Sequence, residues 1–231
     1  MRMYDPDHNA SPVNPIPPVV MALVALVVAV ELLFQAGARG LVGGPEAVGW
    51  RLEALRNFGF FSRYFDYMVQ SGDWRIDGLW RFVTYSFIHY NLTHTLFAAV
   101  LLLALGNFTA RLFHPAAILL AYAVSAVSGA LVHALVIDSE APLFGAYPAV
   151  YGLLGLYTWA LWAAADKLGT NPYAAFRLIG VLVGIQVIFI LIDGTWASLW
   201  SEIAGFVAGF LIATPLAPGG LRRLRRKLQG G

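Results

Sequence analysis

Apolar residues occur in long runs along this chain, and polar residues gather in the segments between the runs. Each run is long enough for a membrane crossing, because a helix needs about 20 mainly apolar residues to span the hydrocarbon core. The runs cover residues 18–37, 84–107, 115–137, 146–165, 175–193 and 197–216. The pattern predicts an all-α membrane protein in which six transmembrane helices form one domain over residues 18–217. Six crossings place both chain ends on the same side of the membrane.

Three segments outside the runs differ from them in composition. Residues 1–17 are rich in Pro, Asp and Asn, which predicts a flexible arm. The first loop, about residues 38–80, interleaves arginines with aromatic residues, a pattern typical of helices that lie at headgroup depth. The residues that form this pattern are Phe58, Phe60, Phe61, Tyr64, Phe65, Tyr67, Met68 and Trp74. Residues 218–231 form a basic tail that we expect to bind anionic lipid.

The composition agrees with a membrane location and excludes several kinds of site. Hydrophobic residues make up 59% of the chain and charged residues 12%, and the mean hydropathy is +0.68. The absence of cysteine excludes disulfides and thiolate metal ligands. The net charge of +2 is no basic excess, which argues against nucleic-acid binding. We expect no cofactor.

The basic residues predict the orientation of the chain, because Lys and Arg concentrate in cytoplasmic loops. Those on the side of the C-terminus are Arg111, Lys167, Arg177, Arg222, Arg223, Arg225, Arg226 and Lys227. The short loops on the opposite side contain Asp138, Glu140 and Asp193. We therefore expect a multi-pass protein of the cell membrane, a bacterial inner membrane, with both ends in the cytoplasm. The first run lacks a basic leader, so an uncleaved anchor is favoured over a signal peptide cut after Ala38.

The segment LFGAYPAVYGLLG, residues 143–155, resembles the start of the fourth transmembrane helix of rhomboid intramembrane proteases. The family reads Gly-x-Ser-Gly-Ala-x-x-Gly here, and its serine attacks the peptide carbonyl. The positions that keep this frame are Gly145, Ala146, Ala149 and Gly152. Tyr147 stands at the position of the serine, and Pro148 follows it. A phenol with a pKa of about 10 and no adjacent base is a poor acyl-transfer nucleophile at neutral pH.

A second stretch supports the resemblance, and it begins at Trp80 and Arg81. His89 and His94 fit the His-x4-His pattern with which the family enters its second transmembrane helix. Ala98 falls on the asparagine that ends this pattern. The resemblance implies that the second histidine and the asparagine donate to an oxyanion, so this chain lacks one of the two side-chain donors.

The third stretch is EIAGFVAG, residues 202–209, which matches the family pattern His-x-x-Gly-x-x-x-Gly in the sixth helix. Gly205 and Gly209 keep the frame, and Glu202 stands where the family has its general base. The resemblance thus implies a rhomboid fold from Trp80 to Gly209 in which nucleophile, base and one oxyanion donor are replaced. Removing a single member of such a site already costs several orders of magnitude in rate.

The leading hypothesis is a rhomboid-like pseudoprotease. It binds transmembrane segments or other membrane proteins in a groove between its second and fifth helices, without cleaving them. Two alternatives stay open, namely a rhomboid-type intramembrane serine endopeptidase and an accessory or scaffold subunit of a larger membrane complex. A protease would need a displaced nucleophile, and the candidates near helix ends are Ser139, Thr195, Ser198 and Ser201.

Other polar residues in the runs need partners or water, because a charge inside the membrane is costly. For Glu202 we expect contacts with Tyr147 and His94, and the alternative is that it reaches water at the membrane surface. Glu31 is expected to reach the water boundary, and the alternative is a buried pairing. His89 and His94 lie five residues apart, a spacing that does not converge on a metal ion.

Small residues recur at four-residue spacing, which predicts faces on which helices approach closely. They are Ser125 with Gly129, Gly180 with Gly184, and Ser201 with Gly205 and Gly209. His133 continues the stripe of Gly129, and we expect it to be a hydrogen-bonded interior residue.

Overall fold

A computed structural model describes residues 16–137, 139–193 and 196–220 of the chain. Within these ranges the chain folds into helices that are joined by short turns and loops. The helices are α1 (Pro18–Ala38), α2 (Trp50–Phe58), α3 (Ser62–Ser71), α4 (Ile76–Leu79), α5 (Arg81–Thr84), α6 (Leu92–Ala110), α7 (Pro115–Val132), α8 (Tyr147–Leu168), α9 (Arg177–Asp193) and α10 (Ala197–Leu216). Most of the predicted arm and basic tail, together with Asp138 and Thr195, lie outside the described residues.

Four of the described helices are long and apolar enough to cross a membrane. They are α1, α6, α7 with its extension to Ile137, and α10 from Ser198 onward. α8 has 22 residues, but Tyr, Trp and Gly interrupt its aliphatic positions. α9 is shorter, with 17 residues. For the described residues, the prediction of an all-α membrane protein is confirmed.

α8 runs through the centre of the bundle and packs against α6, α7 and α10. Over residues 148–156 its side chains are buried all around the helix rather than on one face, as Val150, Leu153, Leu154 and Leu156 show with no exposed surface. A helix enclosed in this way can carry Tyr and Gly inside a membrane protein, because neighbouring helices rather than lipid contact them.

The backbones of α8 and α10 touch through glycine. A Cβ atom on Gly205 would collide with the carbonyl group of Pro148, and one on Gly209 with that of Gly152. Gly129 of α7 packs equally closely against the ring of Pro148. Small residues permit this approach, and the predicted packing faces are confirmed on α7 and α10.

α9 packs differently from the other long helices. Among the described residues, a Cβ atom on Gly180 or Gly184 would meet no atom within 4 Å, so the prediction of a close packing face at these two glycines is wrong for this part of the chain. Large apolar residues exposed on α9 are Leu178, Val181, Ile185, Ile188 and Leu191. α9 therefore lies at the edge of the described bundle, with an apolar surface that this part of the chain leaves uncovered.

Arg81 holds the first loop together. Its guanidinium group donates to the backbone oxygens of Arg56 at 2.8 Å, Gly59 at 2.9 Å and Asp77 at 3.1 Å. The same group lies 4.8 Å from the ring centre of Tyr64, which adds a cation–π contact. The planar fork of arginine suits several acceptors at once, so this residue of the Trp-Arg pair has a structural role.

The aromatic residues of the first loop divide between core and surface. Phe60, Phe65 and Met68 are buried within the protein, and the headgroup depth expected for the loop stays a prediction. Phe60 is drawn inward because its backbone pairs with Leu143 in an antiparallel bridge, with N–O distances of 3.1 and 2.8 Å. The exposed members are Phe58, Tyr67, Trp74 and Trp80.

Glu31 lies in the interior, so the expectation that it reaches the water boundary is wrong. Its side chain is 2% exposed. The carboxylate accepts two hydrogen bonds of 2.8 Å from Arg51, one of 2.7 Å from Gln35 and one of 3.1 Å from Thr95. Arg51 donates in addition to the backbone oxygen of His89. The first loop thus supplies the counter-ion that a carboxylate in a membrane helix requires.

Candidate functional site

A cavity of about 590 Å³ lies between α6, α8, α9 and α10. Its walls are mostly apolar, and its polar groups gather where α8 and α10 begin. The lining residues are His94, Phe97, Val100, Leu101, Leu143, Phe144, Tyr147, Pro148, Tyr151, Leu182, Ile185, Gln186, Ile190, Ser198 and Glu202. Three of the four positions that match the family site, His94, Tyr147 and Glu202, therefore share one cavity. Ala98, the fourth, is fully buried and does not line it.

Tyr147 and His94 are in direct contact. Their rings stack with centres 4.8 Å apart and an angle of 30° between the planes. The Tyr147 hydroxyl donates to the backbone oxygen of His94 at 3.3 Å. The structure thus brings these two family-site positions together.

The loop before α8 is shaped by Gly145 and His89. Gly145 has a φ of +97°, and a Cβ atom there would lie 2.9 Å from the His94 ring, so glycine is required twice over. The backbone N–H of Ala146 donates to Nε2 of His89 at 3.2 Å. Burial, with a contribution from His94, lowers the pKa of His89 to about 4, so the ring is the neutral acceptor that this contact needs. His89 thus positions the residue before Tyr147.

Glu202 is 4% exposed, so the alternative that it reaches water is wrong. Its carboxylate accepts a hydrogen bond from the Gln186 amide of α9 and another from Tyr151 of α8. These bonds connect α8, α9 and α10. Tyr147 and His94, the expected partners of Glu202, line the same cavity.

The sequence interpretation missed both partners of Glu202. Tyr151 follows Tyr147 by four residues, and this spacing places the two phenols on one face of α8. Gln186 is the only amide residue in the fifth apolar run. An isolated amide inside an apolar run is a signal, because it needs a hydrogen-bond partner in the membrane.

The remaining predicted residues have packing or positioning roles. Pro148 opens α8 and fits against Gly129 and Gly205, and Gly152 lies against Ser125 of α7.

Of the proposed displaced nucleophiles, Ser198 lines the cavity one turn before Glu202. Elsewhere, Nε2 of His133 lies 3.0 Å from the backbone oxygen of Ala141, which confirms it as a hydrogen-bonded interior residue.

The groups at the nucleophile and base positions make contacts unlike those of a nucleophile paired with its base. The hydroxyl at the nucleophile position donates to a carbonyl oxygen, which is not a base that can take up its proton. The carboxylate at the base position is held by an amide and a second phenol. The apolar walls contributed by α6 and α9 provide a surface for an apolar segment.

Comparison with known proteins agrees with this geometry. Residues 77–219 match the family model of the Rhomboid domain. The chain is also similar to the protein named "Putative rhomboid protease YdcA" of Bacillus subtilis (strain 168). The two are 24% identical over 197 residues, which is 85% of this chain and 87% of the relative.

Proposed function

Because this chain belongs to the rhomboid family, we propose that it is a pseudoprotease that binds transmembrane segments of other membrane proteins without cleaving them. The observation that carries the proposal is the hydrogen bond from the Tyr147 hydroxyl to the backbone oxygen of His94. A nucleophilic hydroxyl needs a base that removes its proton, and a carbonyl oxygen does not do so.

The position of the general base supports the same proposal. Glu202 accepts hydrogen bonds from Gln186 and Tyr151, so its carboxylate serves as a junction between three helices. Ala98, at the position of the oxyanion asparagine, is buried and has no polar side chain. These two positions therefore offer few groups that could bind a reaction intermediate.

The cavity walls support the binding of a membrane segment. Phe97 on α6 is exposed, and so is Ile185 on α9, although both line the cavity. Apolar residues from two helices thus face an open space at the edge of the bundle. The face of a transmembrane helix is a chemical match for that surface, because it buries apolar side chains without leaving backbone groups unpaired.

The proposal is tested with the full chain in lipid vesicles, together with single-span peptides that rhomboid proteases cleave and with a fluorophosphonate probe. We expect no cleavage and no labelling. A photo-crosslinking amino acid at Phe97 should capture the intact peptide, whereas the same amino acid at Leu119, exposed on α7, should not. Cleavage that Tyr147→Phe abolishes would overturn the proposal.

The second candidate is a rhomboid-type serine endopeptidase. The name of the relative favours it, and so does the position of Ser198 in the cavity one turn before Glu202. The two candidates separate in the same vesicle experiment. A protease with a displaced nucleophile would be established if cleavage is lost in the Ser198→Ala variant and retained in the Tyr147→Phe variant.

We also propose that α8 and α9 cross the membrane, which makes six crossings in one domain over residues 18–217. Both ends would lie in the cytoplasm, and the basic tail after residue 217 would bind anionic lipid of a cell membrane. The positive-inside distribution of Lys and Arg supports this orientation. Reporter fusions after Gly231 and at Gly43 test it, and an external C-terminus would contradict it.

A further inference from the structure

The polar end of the cavity contains an acceptor that lacks a donor. Gln186 donates its amide N–H to Glu202, and its own side-chain oxygen is buried with no hydrogen-bond partner. Glu202 is 4% exposed. The described lining of the cavity contains this one carboxylate and no Lys or Arg. A buried carboxylate beside an unsatisfied amide oxygen forms a site that attracts a positively charged donor.

We propose that the cavity binds a transmembrane helix of a partner protein that has a lysine or arginine at the depth of Glu202. The ammonium or guanidinium group pairs with the Glu202 carboxylate and donates to the Gln186 oxygen. This inference rests on the proposed function, since it names the chemical feature by which the bound segment is recognised.

Charge complementarity favours a basic residue in the bound segment. A lysine or arginine inside a membrane is costly and is found paired with an acidic residue or facing a polar cavity. The carboxylate of Glu202 has the same cost on this chain, because it is buried. Contact between the two satisfies both charges in a medium where their attraction is little screened, and it gives selectivity over purely apolar segments.

The shape of the cavity favours a helix. An α-helix has a diameter of 10–12 Å and a pitch of 5.4 Å, so a volume of about 590 Å³ accepts roughly one turn. The α9 residues that line it, Leu182, Ile185, Gln186 and Ile190, recur at helical spacing on one face. This face and the α6 wall provide apolar contact on either side of the polar end.

The test uses two synthetic single-span peptides of Leu and Ala. One has a lysine one turn inside its outer end, and the other has leucine at that position. Binding to the full chain in phosphatidylcholine nanodiscs is measured by energy transfer between fluorophores. We expect the lysine peptide to bind at least ten-fold more tightly than the leucine peptide. Glu202→Gln should abolish the difference in affinity between the two peptides.

Two further variants separate charge pairing from folding effects. Gln186→Leu should reduce the lysine preference in part, because one acceptor is lost while the carboxylate stays. Glu140→Gln removes a carboxylate from an exposed ion pair and should leave the preference unchanged. Thermal melts of each variant establish that it is folded.

Each contrary outcome has a distinct meaning. Equal binding of both peptides, or a preference that persists in Glu202→Gln, overturns the inference while segment binding itself stands. Failure of both peptides to bind overturns the inference and counts against the proposed function as well. A preference that disappears when phosphatidylethanolamine replaces phosphatidylcholine assigns the site to a lipid ammonium group and overturns the inference.

Discussion

Arg51 and Glu31 form a two-pronged ion pair in which both hydrogen bonds measure 2.8 Å. Glu31 belongs to α1, and Arg51 belongs to α2 of the first loop, so the pair joins a membrane helix to the loop beside it. Arg51 also reaches the backbone oxygen of His89, whose ring accepts from the N–H of Ala146. A continuous chain of contacts thus runs from α1 to Tyr147.

Replacing Arg51 with alanine should destabilise the protein strongly. The Glu31 carboxylate stays buried and loses its counter-ion, and breaking a buried pair in this way costs about 3–5 kcal/mol. We expect a value near the lower end, about 3 kcal/mol, because two other donors remain. Unfolding in detergent, followed by circular dichroism, measures it. Arg63→Ala, at the exposed pair with Glu140, should cost less than about 1 kcal/mol, and equal losses would contradict the prediction.

Gly209→Ala should destabilise the bundle, whereas Gly184→Ala should not. The added methyl group at Gly209 meets the carbonyl group of Gly152, and overpacking of this kind costs about 1–3 kcal/mol. At Gly184 the space is open, and alanine in a helix is favoured over glycine by up to about 1 kcal/mol. Thermal melts of the two variants in one detergent compare them. A similar drop in both would show that α9 packs as tightly as α10.

His89 should make stability depend on pH below neutrality. Its pKa is about 4 in the folded protein, against an ordinary value of 6.5, so the unfolded chain takes up the proton first as the pH falls. Stability from this residue is therefore complete above pH of about 6.5. It is lost progressively down to pH of about 4, by up to about 3 kcal/mol. His89→Gln keeps an acceptor for Ala146 and should flatten this part of the stability profile, so an unchanged slope would contradict the prediction.

Arg81→Lys should loosen the first loop although the charge is kept. One ammonium group cannot donate to the three backbone oxygens that Arg81 contacts and also stack on Tyr64. We expect a loss of about 1–3 kcal/mol and faster chymotrypsin cleavage within the loop. Arg75→Lys is the matched control, because the Arg75 side chain is 67% exposed. Equal cleavage rates in both variants would count against a structural role for Arg81.

The motifs predicted those contacts that depend on how closely two backbones approach each other. Gly145, Gly205 and Gly209 lie where close backbone approach or a positive φ demands glycine, and such positions can be read from a pattern. The meeting of Tyr147 and His94 follows from the resemblance in the same way, because both residues lie at the beginning of their helices.

Side-chain pairing was harder to predict, because it depends on how each helix is rotated about its axis. Glu202 bonds to Gln186 and Tyr151 because α9 and α8 present these residues to it. Arg51 reaches Glu31 across a loop whose path no periodic pattern describes. The apolar runs predict that helices exist, but their composition contains little information about which polar groups face each other.

The glycine contact between α8 and α10 has a consequence for biosynthesis. α10 is made after α8, so α8 leaves the ribosome before its closest neighbour exists. The face that Gly152 and Gly155 will press against α10 then has no permanent partner. α8 is also less uniformly aliphatic than the helices around it. Its integration should therefore depend on α7, or on the insertion machinery, to shelter that face until synthesis of the chain is complete.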